Sequence, residues 1–250
     1  MDLHARRADS FGAQAEAYAE HRPDYPLAAI RWALEPLVQD RRLDVLDLAA
    51  GTGKLTAGLV AEGHCVTAVE PNEQMLSELV RRVHDVRALP GHAEHIPVPD
   101  QTVDAVLVGT AFHWFDQEKA MPEIARVLRP GGVVAAMWNE PDTSVEWLAE
   151  FERVSTSSVQ TSKQDPTGIL AHPLFGEPER QVFRHSQHRD SPEAFVATVN
   201  THSRLLVVSD EERAAVNEKM LAFLRSRPET SNGPFDVPML TDVTRMVVSG

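Results

Sequence analysis

Residues 43–49 read Leu-Asp-Val-Leu-Asp-Leu-Ala, and Gly51-Thr52-Gly53 follows at once. A short, nearly continuous apolar run suits a central parallel strand buried on both faces. Two glycines directly after such a strand make a turn where backbone can approach a ligand closely. The helix that follows offers free N–H groups.

The same pattern continues downstream. Residues 54–62 predict a helix, 64–69 a strand, and Pro71-Asn72 opens a helix to Arg82. A short strand is expected at 86–89, a strong one at 103–109, and a helix at 117–128. Arg129-Pro130-Gly131-Gly132 reads as a sharp turn before a strand at 133–138. Alternating strands and helices imply βαβ units and a parallel sheet covered on both sides. Ligands in such sheets sit beyond the carboxyl ends of the strands, where the glycine turn lies.

The last third differs. A helix is expected at 143–159 and a polar loop at 160–178, broken by Pro166, Gly168, Pro173 and Pro178. A strand at 179–188 follows. Ser191-Pro192-Glu193 starts a helix with a serine cap and proline at the first helical position. Ser209 starts another, running to about Arg227; 229–238 is turn-rich, and 239–248 is a final strand. Two helices exceed what a sheet crossover needs, so 191–227 reads as an insertion and a candidate substrate lid. The whole chain, 1–250, reads as one domain, with a helical cap at 1–40 and a cofactor-binding core at 41–138.

Formal net charge is -13, which disfavours nucleic acid and favours a small-molecule partner. The single cysteine, Cys65, forms neither an intramolecular disulfide nor a cysteine-built metal site. No apolar run is long enough to span a bilayer, and the first residues lack a signal peptide's apolar core, so no membrane and a cytoplasmic setting are expected. His92-x-x-His95 and His185-x-x-His188 lack a third ligand, so no metal is assigned. Oligomeric state is not legible.

Three chemistries use a glycine turn of this kind. A phosphate-binding Walker loop fails, because no glycine stands five positions before Gly53-Lys54. A dinucleotide fingerprint is only partial, because Thr56 occupies the third glycine's place. Asp47-Leu48-Ala49-Ala50-Gly51-Thr52-Gly53 resembles the first motif of class I S-adenosylmethionine-dependent methyltransferases. Ala49 stands where that family has its first glycine, which is tolerable if its φ is negative. Glu70 closes the second strand, where a carboxylate can accept both hydroxyls of a ribose. Residues 91–104 resemble the family's adenine segment, and 124–132 its helix and turn before the fifth strand. Tyr18…Arg22-Pro23-x-Tyr25-Pro26 and Ala111-Phe112-His113-Trp114-Phe115-Asp116 are similar to the trans-aconitate methyltransferase-like branch.

The resemblance implies a Rossmann-like, seven-stranded α/β fold, mostly parallel, with an antiparallel last strand. It implies S-adenosyl-L-methionine held by Asp47, Ala49, Gly51, Thr52, Gly53, Glu70, Pro71, Met75, His92, Ala93, Glu94, Gly109, Thr110, Tyr18 and Arg22. Methyl transfer would go to a small organic acceptor, at an oxygen of a carboxylate or hydroxyl. His113 is the candidate catalytic base or positioning group. Tyr25, Trp114 and Phe115 are candidates to line the acceptor pocket, and Ser203 and Arg204 are possible substrate contacts. Two rivals stand beside this reading: a nicotinamide-dependent oxidoreductase, which shares the glycine turn and Glu70 but lacks the third glycine and does not explain residues 91–104, and a methyltransferase-like protein that binds the cofactor without transferring methyl.

Overall fold

The computed structural model describes residues 23–37, 41–158, 172–201, 205, 207–231 and 233–249. Within them the chain forms two units. The first comprises 24–37, 41–139, 172–183 and 241–249, and contains most of a seven-stranded sheet. Its elements are α1 (Leu27–Leu34), β1 (Asp44–Leu48), α2 (Lys54–Ala61), β2 (Cys65–Glu70), α3 (Glu73–Arg82), β3 (Val86–Pro90), β4 (Val103–Gly109) and α4 (Gln117–Val127). Three further strands continue from it into the second unit: β5 (Leu128–Pro141), β6 (Glu179–Arg189) and β7 (Phe235–Val247).

The strand order is β3-β2-β1-β4-β5-β7-β6. Parallel registers tie β1 to β2 and β4, β2 to β3, and β4 to β5. The order reverses at β1, and in open α/β sheets ligands sit beyond the carboxyl ends of the strands at such a switch point, here β1 and β4. β7 is antiparallel to β5. The Val248 N–H donates to the Gly132 carbonyl and the Thr241 hydroxyl to Asn139 Oδ1, so rising numbers on one strand meet falling numbers on the other.

Alternation along the strands supplies both faces of the core. Leu46, Leu48, Val106, Val108 and Val134 pack with Ala120, Met121 and Ile124 of α4. Val45, Ala105, Leu107 and Ala135 pack with Ala29, Ile30 and Ala33 of α1 and Leu55 and Leu59 of α2. α3 starts at β2's end because the Asn72 side chain accepts the N–H groups of Gln74 and Met75, each at 3.1 Å.

Arg129–Gly132 is not a turn before the fifth strand. It is an irregularity within β5: the β4 register moves from Val103↔Leu128 to Ala105↔Val133. Gly131 takes φ 76° there. The bulge lets Arg129 reach Asp104 at 2.9 Å, beside Arg41 at 2.8 Å. Burial works to raise the Asp104 carboxyl, but those guanidiniums and the Asp44 N–H hold it down at about 2.

The second unit comprises Pro23, 140–158, 184–201, 205, 207–231 and 233–240. α5 (Glu146–Val154), α6 (Pro192–Asn200), α7 (Asp210–Arg225) and the first half of β7 share one core of Trp147, Phe151, Phe195, Met220 and Phe235. The Phe151 and Phe195 rings stack at 4.8 Å. Ser191 and Ser209 cap α6 and α7, each accepting a backbone N–H at 3.2 Å. β7 begins at Phe235, earlier than the expected 239. Phe235, Val237 and Met239 alternate into the core, and the Pro238 carbonyl still accepts the Asp142 N–H at 2.9 Å. Among the described residues no helix is long and apolar enough to cross a membrane.

Candidate functional site

The strand ends of the first unit gather most of the residues singled out above. Asp47 is the fourth residue of β1 and only 1% exposed. The Thr56 hydroxyl, on the first turn of α2, donates to its Oδ2 at 2.6 Å. Its Oδ1 is buried without a hydrogen-bond partner, as is Thr52 Oγ1 in the glycine turn. Burial pushes the Asp47 carboxyl up to about 7, and the negative charge of Glu70 adds to this against the Thr56 bond.

The turn itself is left-handed at three residues. Ala49 has φ 57°, Gly51 57° and Gly53 88°. The negative φ that would make alanine comfortable at position 49 is therefore not met. The chain leaves β1 through a left-handed residue whatever occupies the position, and alanine bears the strain that glycine would avoid. At Gly53 no side chain fits, since a Cβ would stand 2.9 Å from Leu79 Cγ and 3.0 Å from Val83 Cγ2.

Glu70 ends β2 and is 5% exposed. Gly51 N–H donates to Oε2 and Asn72 N–H to Oε1, both at 2.9 Å. Burial raises its pKa while the two N–H groups oppose the rise. Each oxygen keeps a second lone pair for a ligand. Pro71 is exposed beside it, and buried Met75 lies near Gly51. His92–His95 forms a tight turn after β3, with the His95 N–H on the His92 carbonyl at 3.1 Å. Ala93 is buried within it. Glu94 instead accepts the Asp116 N–H at 2.9 Å, at the start of α4.

Gly109 ends β4 and Thr110 follows it, then a short 3-10 turn, Phe112–Trp114. Thr110 has φ 52°. The Tyr25 hydroxyl lies 2.8 Å from Thr110 Oγ1. Tyr25 is held in place by its neighbour: the Asp24 carboxylate takes Lys54 Nζ at 2.9 Å, and its carbonyl takes Asn139 Nδ2 at 3.2 Å. The His113 ring is half-buried, 4.6 Å from Trp114 and 5.0 Å edge-on to Trp138. Phe115 packs on Phe112 at 5.2 Å. Tyr18, Arg22, Ser203 and Arg204 lie outside the described residues. Among the described residues no cluster of three or more histidine, cysteine or acidic side chains could hold a metal.

Sequence reasoning missed Thr56, Asn72, Lys54 and Trp138. Only Asn72 carried a signal, as a helix-capping type next to Glu70.

Comparison with known proteins agrees with this geometry. Residues 46–136 match a family model described as a methyltransferase domain. An uncharacterized methyltransferase of Mycobacterium tuberculosis is 37% identical over 226 residues, covering 89% of this chain and 88% of that protein. The chain belongs to the class I S-adenosylmethionine-dependent methyltransferases. A malonyl-[acyl-carrier protein] O-methyltransferase of Marinomonas is 25% identical, covering 97% of this chain and 92% of that one. A solved structure from Anaeromyxobacter dehalogenans described as a type II methyltransferase superposes with TM-score 0.69 at 26% identity, over 91% of this chain and 97% of that one. This methyltransferase therefore uses S-adenosyl-L-methionine, and the nicotinamide oxidoreductase reading falls.

Proposed function

We propose that this methyltransferase acts on a small organic acceptor at a carboxylate or hydroxyl oxygen, in the crevice beyond β1, β2 and β4. The observation that carries the site reading is Glu70. Its carboxylate is buried at a strand end and oriented by the N–H groups of Gly51 and Asn72, with lone pairs left for two hydroxyls. The unpartnered buried oxygens of Asp47 and Thr52 fit a polar ligand above the glycine turn. Gly51, Gly53 and Ala49 shape that turn. Pro71, Met75, His92, Ala93 and Glu94 line the adenosine side, with Gly109 and Thr110 at the opposite wall. Tyr18 and Arg22 belong to the same reading through the sequence resemblance.

Bound, the cofactor supplies a methyl group on a sulfonium, activated towards nucleophiles. The chain's part is to bind, align and exclude water. His113, wedged between Trp114 and Trp138, accepts the proton of a hydroxyl acceptor or orients a carboxylate one. Tyr25, Trp114 and Phe115 wall the acceptor. The Marinomonas relative, an O-methyltransferase, supports oxygen as the acceptor atom. A cytoplasmic setting agrees with the single, exposed cysteine.

The test is a titration with S-adenosylhomocysteine beside NADH. Release of S-adenosylhomocysteine from S-adenosylmethionine is then followed over a panel of short carboxylic acids, alcohols and amines. Turnover confined to the acids and alcohols supports the reading; turnover confined to amines overturns the oxygen assignment.

A further inference from the structure

Asp47 is an unusual counter-charge. Its carboxyl is buried, Oδ2 is held by Thr56, and Oδ1 has no hydrogen-bond partner. Its strand partners across the sheet are Ala68 on β2 and Leu107 on β4, both apolar. From β2, Glu70 adds a second buried negative charge. From the turn after β3, His92 acts on Glu70. On α2, Lys54 is paired with Asp24. No cation pairs with Asp47 among the described residues. A carboxylate in such a place is costly, and the neutral acid is the cheaper form until a positive charge arrives.

Resting on the cofactor site proposed above, we propose that Asp47 holds a proton in the free protein and loses it to solvent when the cationic methionine end of the cofactor binds. A neutral carboxyl and a cation become a buried carboxylate–cation pair, and one proton passes to the buffer. Binding is then linked to pH through this one group. Affinity rises with pH while Asp47 must be deprotonated, approaching tenfold per pH unit well below neutrality, and levels off above about pH 7, where the carboxylate is already present. Thr56 tunes the midpoint, because its hydroxyl bond favours the charged form.

The experiment is calorimetry of the full chain with S-adenosylhomocysteine, which keeps the α-ammonium, in buffers of different ionisation enthalpy between pH 5.5 and 8.5. The expected result is release approaching one proton near pH 6 and fading towards pH 8.5, with Asp47→Asn binding more weakly and releasing none. Binding without proton release, or release that persists in Asp47→Asn, overturns the proposal and leaves the cofactor site standing. Absence of binding at every pH overturns the site and the proposal together. Should Asp47→Asn fail to fold or bind, Thr56→Val decides. A midpoint displaced to higher pH supports the proposal, and an unmoved midpoint overturns it.

Discussion

Gly109 lies directly against Tyr25: a Cβ built on the glycine would stand 2.7 Å from the phenol oxygen and 3.0 Å from the ring carbon bearing it. The next residue, Thr110, is bonded to the same hydroxyl and holds a left-handed φ of 52°, which is rare for a β-branched side chain. Its N–H also donates to the Met137 carbonyl at 2.7 Å. The exit of β4 is thus bent and pinned from both sides. Strain kept at a strand end, beside a candidate catalytic histidine, is where function is expected to have selected it.

Gly109→Ala is expected to push Tyr25 off Thr110 and cost about 1–3 kcal/mol, the usual range for overpacking. Tyr25→Phe keeps the ring and removes only the hydroxyl bond, for about 1 kcal/mol. Urea unfolding of both variants checks the order. A Phe variant as damaged as the Ala variant would mean that the hydroxyl, not the ring's proximity, holds the segment.

Ala49 has φ 57°, where an L-side chain is strained by about 1–2 kcal/mol. Glycine relieves that strain and gives back part of it as unfolded-chain entropy. Ala49→Gly should therefore stabilise the protein by about 0.5–1 kcal/mol, read as a higher denaturation midpoint with an unchanged slope. Destabilisation would show that the alanine methyl's packing against the core outweighs its backbone strain.

The strands that position the site were legible because each is an apolar run closed by a marker: Asp47 and Gly51 after β1, Glu70 at β2, Gly109 at β4. Local signals failed where the outcome depends on distant chain. Arg129-Pro130-Gly131-Gly132 reads as a turn on composition, yet pairing with β4 continues the strand through it as a bulge. Residues 229–238 read as turn-rich, while the alternating burial of Phe235, Val237 and Met239 extends β7. The Trp138 ring against His113 joins β5 to the turn after β4, a contact that no spacing along the chain announces.

Glu70→Ala removes the acceptor proposed for the ribose and leaves the Gly51 and Asn72 N–H groups without their partner. Cofactor affinity should fall by about 1–3 kcal/mol, measured by titration with S-adenosylhomocysteine. Unchanged affinity would move the ribose away from Glu70.

Asp47→Asn separates the cost of a buried carboxylate from its use. In the folded free protein the Asp47 carboxyl sits at about 7, against about 3.9 in an unfolded chain. The folded state thus holds this proton more tightly, and folding takes up a proton between those values. The group's contribution to stability is at its best below about pH 4, declines as pH rises through the window, and is flat above about pH 7. Asparagine has no proton to lose and escapes the decline. Without ligand, the stability of the Asn variant relative to the parent should therefore grow from pH 5 to pH 7 and then level, with a ceiling of about 4 kcal/mol for full linkage. Thermal melts at pH 5, 6, 7 and 8 test this directly. A difference independent of pH would mean that Asp47 is already ionised throughout the range, and that its unpartnered oxygen is charged in the resting protein.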